Sequence, residues 1–416
     1  MLVGMKIDRV DSFLLSYPMP APVVLPYYGG VRTIVKRDAM LIRVRAENGL
    51  VGFGPGPGSE ELHRRIQKVI APFLGGRLLA DPDALRVQFE MTDAGRDPEM
   101  FKAYCCVEVA LYDLLGKAYG APVSELVGGR VRGSILLYAS AGMYQPPEGY
   151  AAEAAGLKKL GYRAYKMRPA LGPDDDMKTI RLMREAVGEG MDLMVDAHSW
   201  WRMGDRSYSA ETVASLAAGM SEYVVTWLEE PLAPPDHAAY AALRATQETP
   251  LAAGEHEPDE AGFEDLIAGD SVDFVQADVV CQGGYTAGRR IITSTGRAGL
   301  RFAFHCWGTD LEALAAAHLG VCFPENVAEW LEYPVYTTPQ LTTMYPFPLA
   351  QDILKQPLQI VDGKLIVPET PGLGIDIDES AIEKYPWIPG PWSFFTLHSP
   401  PGTFAVSGDH SLPWAP

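Results

Sequence analysis

From about residue 133 the chain repeats one pattern some eight times, a short apolar run followed by an amphipathic stretch. The runs span 135–139, 164–166, 193–196, 224–229, 251–255, 274–278, 302–305 and 327–332. The stretches between them carry helical spacing. One is 177–187, and Asp174, Asp175 and Asp176 ahead of it have the charge that favours a helix N-terminus. Strand and helix alternating this often predict an α/β fold with a parallel β/α barrel over 133–350. A doubly wound open sheet is the competing topology. It gathers ligands at a single switch point, whereas here polar residues end nearly every run.

Three successive runs close on a carboxylate: Leu193-Met194-Val195-Asp196, Val224-Val225-Thr226-Trp227-Leu228-Glu229 and Leu251-Ala252-Ala253-Gly254-Glu255. In parallel neighbouring strands these ends share one rim, and the carboxylates converge. Converging carboxylates repel one another unless a cation sits between them. Oxygen ligands with no Cys among them suit Mg2+. The expectation is a magnesium site of Asp196, Glu229 and Glu255 at the C-terminal face of the barrel. The plainer reading of any one acid is a helix cap or a water-facing end. Glu230 points to the other side of its strand, which suits a structural pair or an outer contact.

Other polar residues sit at the same rim. Lys166 and Arg168, two apart, share a strand face. Two cations facing a barrel interior are costly unless anions answer them. Lys166 becomes a general base if positive neighbours lower its pKa, while Arg168 stays charged and suits a clamp. His198 shares the face of Asp196 and can donate a proton to a leaving hydroxide. Trp200, Trp201 and Arg202 follow, and either line the pocket or fold the loop. Asp278 ends the sixth run and His305 the seventh; an Asp orienting a His is a recurrent general base. Glu332 ends the eighth run and, protonated in apolar surroundings, can hydrogen-bond a developing enediolate oxygen. Cys281 and Cys306 lie nearby in sequence without an activating group, so a thiol nucleophile is the weak alternative.

The 416 residues are enough for a barrel with a large addition. A formal net charge of -18 argues against nucleic acid or an anionic membrane as partner. It leaves room for an anionic small substrate, because a metal and a few Lys or Arg reverse the local potential. Cys105, Cys106, Cys281, Cys306 and Cys322 are scattered with no CxxC pair, which predicts reduced thiols in a cytoplasm. Residues 1–6 form no apolar h-region and no run of 18 apolar residues occurs, so neither a signal peptide nor a membrane span is expected.

Residues 1–132 read as α+β. A strand suits 7–15, and 39–53 suits a hairpin turning at Asn48-Gly49. Between them, 17–36 is rich in Pro, Tyr and Gly without a clear period and is expected as a mobile loop. Gly52, Gly54, Gly56 and Gly58, interleaved with Pro55 and Pro57, are expected as a second loop, one lacking the features of a phosphate cradle. Substrate contacts are expected from these two loops, Tyr28 among them. A helix is predicted over 98–119, with Ala103, Cys106, Val107, Ala110, Leu111, Leu114 and Leu115 on one face and Gly120 and Pro122 stopping it. Cys105 and Cys106 are adjacent, so only one is expected to face the core. Residues 365–368 and 371–375 read as a return to the first domain, and 351–416 is grouped with it. The last stretch, 387–416, is rich in Pro and aromatics and shows no assignable pattern.

Taken together, these residues resemble the enolase superfamily, mandelate racemase subgroup, over nearly the whole chain. Val107-Glu108-Val109-Ala110-Leu111-Tyr112-Asp113-Leu114-Leu115-Gly116-Lys117 is similar to the helix that ends that family's capping domain, and Gly128-Gly129 follows in place. Lys166-Met167-Arg168 resembles the KxK stretch; Trp227-Leu228-Glu229-Glu230-Pro231 and Gly254-Glu255 resemble metal-ligand segments. Asp278, Gly283-Gly284, Thr286 and His305 resemble the Asp–His region, and Pro371-Gly372-Leu373-Gly374 the ending.

The resemblance implies a modified β/α barrel capped by an α+β domain built from both chain ends. It implies Mg2+ on Asp196, Glu229 and Glu255, and abstraction of the proton α to a carboxylate. One departure bears on mechanism: the second Lys of KxK is Arg168, a poor base, which favours one-base chemistry from His305. The Asp196-Ala197-His198 spacing resembles members that dehydrate sugar acids. The preferred expectation is an acid-sugar dehydratase in which Lys166, His198, His305, Asp278 and Glu332 are catalytic and Arg168, Trp200 and Tyr28 contact substrate. An epimerase or cycloisomerase using the same enediolate, or a non-catalytic sugar-acid binder, are the alternatives. A metal hydrolase is disfavoured by the absence of an HxH pair ahead of Asp196. A homo-oligomer, dimer or octamer, is also implied.

Overall fold

The computed structural model describes residues 5–140, 144–169, 171–339, 341–399 and 401–406. Strands β1 (Met5–Tyr27) and β2 (Gly30–Ala46) form one long antiparallel hairpin. Strand β3 (Val51–Gly56) pairs with the second half of β2 across the Asn48-Gly49 turn, and β4 (Leu78–Leu79) pairs with the start of β1. Segment 17–36, expected as a loop, is therefore strand. Among the described residues β1 has no strand on its outer side beyond its contact with β4, and the register shifts between Pro18 and Val23. An edge and a bulge are the places where a sheet tolerates proline, which is why this segment shows no strand-like period.

The second expected loop is also corrected: Gly52, Gly54 and Gly56 lie in β3. The strand presses on the helix Pro98–Tyr119, and a Cβ at Gly52 would lie 2.3 Å from the Ala110 carbonyl oxygen. The glycines permit this approach. The helix starts where Asp97 accepts a hydrogen bond from the Glu99 N–H, with Pro98 in the first turn, and it stops at left-handed Gly120. Its predicted apolar face is buried. Cys105 is buried as well, but only Cys106 joins the cap core, as expected of adjacent helix positions; the Cys105 sulfur accepts from the Gly283 N–H at 3.1 Å.

Strands β5 (Ser134–Ser140), β6 (Ala164–Met167), β7 (Asp192–Asp196), β8 (Val225–Glu229), β9 (Leu251–Ala253), β10 (Phe274–Ala277), β11 (Arg301–Phe304) and β12 (Ala328–Pro334) pair in parallel in chain order. Pairing of β12 with β5 closes the barrel and excludes the open sheet. Leu136, Tyr138, Ala164, Met194, Trp227, Ala252, Phe274, Ala303 and Trp330 form one interior cluster. Large side chains such as Tyr138, Trp227, Phe274 and Trp330 pack with the small Ala164, Ala252 and Ala303 inside the barrel. Two residues further along their strands, the same inward face carries Lys166, Asp196, Glu229, Gln276, His305 and Glu332.

After the barrel, the hairpin of β13 (Ile360–Val361) and β14 (Lys364–Ile366) pairs with β5, so this segment extends the barrel sheet instead of returning to the cap. The return follows. Asp113 of the cap helix accepts from the Leu373 N–H at 2.7 Å through one oxygen and from the Phe53 N–H at 2.7 Å through the other. Buried Arg86 pairs with buried Glu108 at 3.1 Å and donates to the Gly283 carbonyl at 2.6 Å, fastening the cap to the barrel helix Gly284–Arg297. The tail, unassigned from sequence, adds β15 (Ser393–Leu397) to β2 and β16 (Gly402–Val406) to β15. Residues 407–416 lie outside the described residues. Among the described residues no helix is long and apolar enough to cross a membrane.

Gly52→Ala is expected to lower unfolding stability by about 2 kcal/mol or more, because backbone rather than a mobile side chain meets the new methyl; denaturant melts measure it. Asp310, buried and hydrogen-bonded by the Tyr333 hydroxyl at 3.1 Å, has its carboxyl pushed up to about 7 by burial. A raised folded pKa gives stability that is full below the ordinary value near 3.8 and is lost as pH rises through about 7. Between about pH 5.5 and about pH 8 the wild-type protein should lose on the order of 1–2 kcal/mol more than Asp310→Asn.

Candidate active site

Asp196 and Glu229 are the last residues of β7 and β8. Glu255 arrives differently. Strand β9 stops at Ala253, and Gly254 takes φ +134°, a conformation that only glycine adopts readily. Its missing side chain also matters, since a Cβ there would sit 2.3 Å from the Gln276 carbonyl oxygen. This bend breaks the period-2 alternation and brings Glu255 to the rim, where its carboxylate meets His305.

Each of the three acids faces a cation. Arg168 forks onto Asp196, with Nη2 at 2.7 Å and Nε at 3.1 Å from one oxygen. Lys166 Nζ lies 2.7 Å from Glu229, 3.0 Å from Glu332 and 3.6 Å from Asp196. The second oxygen of Glu229 accepts from Trp227 Nε1 at 3.1 Å and Gln276 Nε2 at 2.7 Å. His305 sets Nδ1 3.1 Å from Asp278 and Nε2 2.9 Å from Glu255. His198 Nδ1 is 2.7 Å from Asp196 and 3.8 Å from Glu255. Glu332 accepts from the Cys306 N–H at 3.1 Å.

Burial alone would favour neutral forms, yet charge decides most of these groups. Burial lowers the affinity of Lys166 for its proton, but Glu229 and Glu332 more than offset this and hold the pKa well above the ordinary lysine value. Lys166 therefore stays an ammonium, which rules against a base role in this arrangement. Arg168 is held charged by Asp196 in the same way. Burial opposes the ionised form of Asp196, and Arg168, helped by Lys166 and a hydrogen bond from His198, reverses it. Glu229 is pushed up to about 8 by burial and its acidic neighbours, despite Lys166. Burial, with Arg168 and Arg202 nearby, lowers His198 to about 3, so it is a neutral imidazole at pH 7. His305 goes the other way: Glu255 and Asp278 outweigh burial and raise it. Burial raises the thiols of Cys281 and Cys306 well above the ordinary value, which excludes an activated thiol there.

The donor set fits a hard divalent cation. Asp196, Glu229, Glu255 and Glu332 are buried or nearly so and share Lys166, Arg168 and His305. The elevated Glu229 records an excess of negative charge that a cation would relieve. Asp196 and Glu229 now turn their oxygens to Arg168 and Lys166. Among the described residues the atoms that gather within 4.8 Å belong to Glu230, Glu255 and His256, an acidic group able to hold a metal. Glu230 pairs with His256 Nδ1 at 2.7 Å, the structural pairing expected of it.

A cleft between the rim and the cap is lined by Arg168, His198, Arg202, Glu255 and His305 on the barrel side. Two expected substrate contacts lie away from it. Trp200 is fully buried, its indole N–H donating to Asp176 at 3.1 Å. Tyr28 packs edge-on against Tyr208 with Arg206 over its ring. Trp307 and Glu312 line the cleft and were not singled out from sequence, although Trp307 lies just two residues past His305. Gln276 was legible in principle, because it shares the inward face of Phe274 and Asp278.

Residues 16–128 match the mandelate racemase / muconate lactonizing enzyme N-terminal domain family, and residues 149–381 match the enolase C-terminal domain-like family. A D-galactarolactone cycloisomerase from Agrobacterium fabrum is 28% identical over 92% of this chain and 99% of its own length. An L-rhamnonate dehydratase from Saccharopolyspora erythraea is 30% identical over 84% of this chain and 85% of its own. The crystal structure of an enolase superfamily member from Polaromonas sp. JS666 superposes with a TM-score of 0.80 at 29% identity, covering 93% of this chain and 99% of that one.

Magnesium titration calorimetry separates the two possible ligand groups. Asp196→Asn and Glu229→Gln are each expected to weaken binding by ~100-fold or more, and Glu230→Gln by no more than about threefold. The opposite ranking would assign the ion to Glu230 and His256.

Proposed function

Because the chain belongs to the enolase superfamily, in its mandelate racemase subgroup, we propose that it is a Mg2+-dependent acid-sugar dehydratase. One observation carries this reading. The Asp278–His305 dyad stands on one side of the rim, while the position just past the end of β6 is filled by Arg168, bonded to Asp196 and unable to act as a base. A reaction needing bases on both faces is poorly served. One that removes a proton from a single face and expels a group suits the residues.

Asp196, Glu229 and Glu255 would hold the ion, and a bound Mg2+ would supply positive charge where enediolate oxygens develop theirs. Asp278 fixes His305 through Nδ1; once Glu255 turns away, the charge that holds the Nε2 proton is removed, that proton is lost to solvent, and the free Nε2 takes the C2 proton of the sugar acid. The electron pair of the C2–H bond moves into the carboxylate as an enediolate, which the Lys166 ammonium stabilises. Collapse of the enediolate breaks the C3–O bond, and the hydroxide leaves as water with a proton from His198, which, being neutral at pH 7, must first take that proton up from solvent. The enol then tautomerises to a 2-keto-3-deoxy acid.

A keto-acid assay over a panel of aldonates, run in deuterium oxide, tests the scheme. His305→Asn should lower both C2 exchange and keto-acid formation by ~10²–10⁴-fold. Asp278→Asn should lower kcat less and shift the pH profile, because it acts through His305. Exchange without water loss would reject dehydration.

A second reading, cycloisomerisation or epimerisation through the same enediolate, draws support from His198. An imidazole held at about 3 is a weak source of protons for a leaving hydroxide. Deuterium in a ring-opened or epimeric product, with no keto acid, selects this reading.

A further inference from the structure

Two arginines of the cap have no role in the scheme above. Arg32 and Arg37 lie on β2, 5% and 3% exposed, and both line the cleft that holds Arg168 and His305. Each guanidinium lies over two aromatic rings. Arg32 lies 4.6 Å from the Trp392 ring centre and 5.0 Å from that of Phe395; Arg37 lies 4.5 Å from Tyr345 and 4.6 Å from Trp392. Stacking fixes the planes but leaves the edges unmet: Arg32 Nε and Arg37 Nε and Nη2 are buried without a hydrogen-bond acceptor. Asp38, an acid on the same wall, is engaged by Ser16 Oγ at 2.7 Å and Lys36 Nζ at 3.0 Å.

Buried guanidinium N–H groups without acceptors are costly, and two of them side by side repel. Burial, with Arg37 and Arg168 close by, draws Arg32 down to about 10, still charged at neutral pH. Planar donor forks held by aromatic faces are the arrangement that receives carboxylate or phosphate oxygens.

We propose that Arg32 and Arg37, packed against Trp392 with Phe395 and Tyr345 respectively, form a subsite for a second anionic group at the far end of the substrate. The substrate is then an acid sugar charged at both ends, a diacid or a phosphorylated acid, and not a simple aldonate. This rests on the acid-sugar reading of the site.

Calorimetry with Mg2+ present compares galactarate with galactonate, and glucarate and 6-phosphogluconate with gluconate. The doubly charged ligand of a set should bind ~10–100-fold more tightly to the wild-type protein. Arg37→Met should erase that margin while changing aldonate affinity by less than about threefold. Preference for glucarate identifies a carboxylate, and preference for 6-phosphogluconate a phosphoryl group. Equal affinities in the wild type, or a margin that survives Arg37→Met, overturn the subsite. Inorganic phosphate probes it without acid-sugar chemistry: it should raise the melting temperature of the wild type and not of Arg37→Met. Phosphate stabilisation without turnover of any acid sugar would keep the subsite and reject the dehydratase. Turnover with neither phosphate stabilisation nor a charge preference would do the reverse.

Discussion

Everything at the barrel rim follows from how densely charge is packed into a place that water hardly reaches. Carboxylates from β7, β8 and β12, with Glu255 just beyond β9, face an ammonium and a guanidinium from the β6 end. In such surroundings a charge without a partner is costly. The pairings set which groups hold protons: Lys166 keeps its own, and His305 gains affinity for one. Any ligand that enters must trade places with an existing partner, and so the site is a set of exchangeable ion pairs more than a rigid cage.

The cap makes the rim a cleft, and its attachment is also polar. Glu108 and Asp113 lie on one helix one turn and a little apart. Glu108 answers Arg86 at the barrel helix, and Asp113 gathers the backbone of Leu373 and Phe53. The motif that resembled a family signature therefore has a mechanical meaning. Its acids tie together three stretches of chain that are distant in sequence.

What was legible from sequence was whatever a local period encodes. The eight strands, the helix Pro98–Tyr119 and the acids at the strand ends follow from alternation and helical spacing. Features set by a distant partner were not. Segment 17–36 is strand because β2 pairs with it, and Gly52 is a strand residue because a helix lies against it. Trp200 sits among site residues in sequence, yet its indole turns to Asp176. The position of Glu255 depends on one backbone angle at Gly254. Nothing local marks Arg32 and Arg37, because residues some 360 positions later supply their aromatic faces.

That last pairing has a consequence for how the protein comes into being. The cleft wall joins β2 to β15, so it is finished only after residues near 397 have left the ribosome. At ordinary rates of translation this is on the order of tens of seconds after β2 emerges. During that interval the outer edge of β2 around Ile34 has unfilled backbone donors and acceptors, an open invitation to another strand. The nascent chain thus passes through a period when it is most exposed to mispairing, and the tail that completes the cleft is also what ends it.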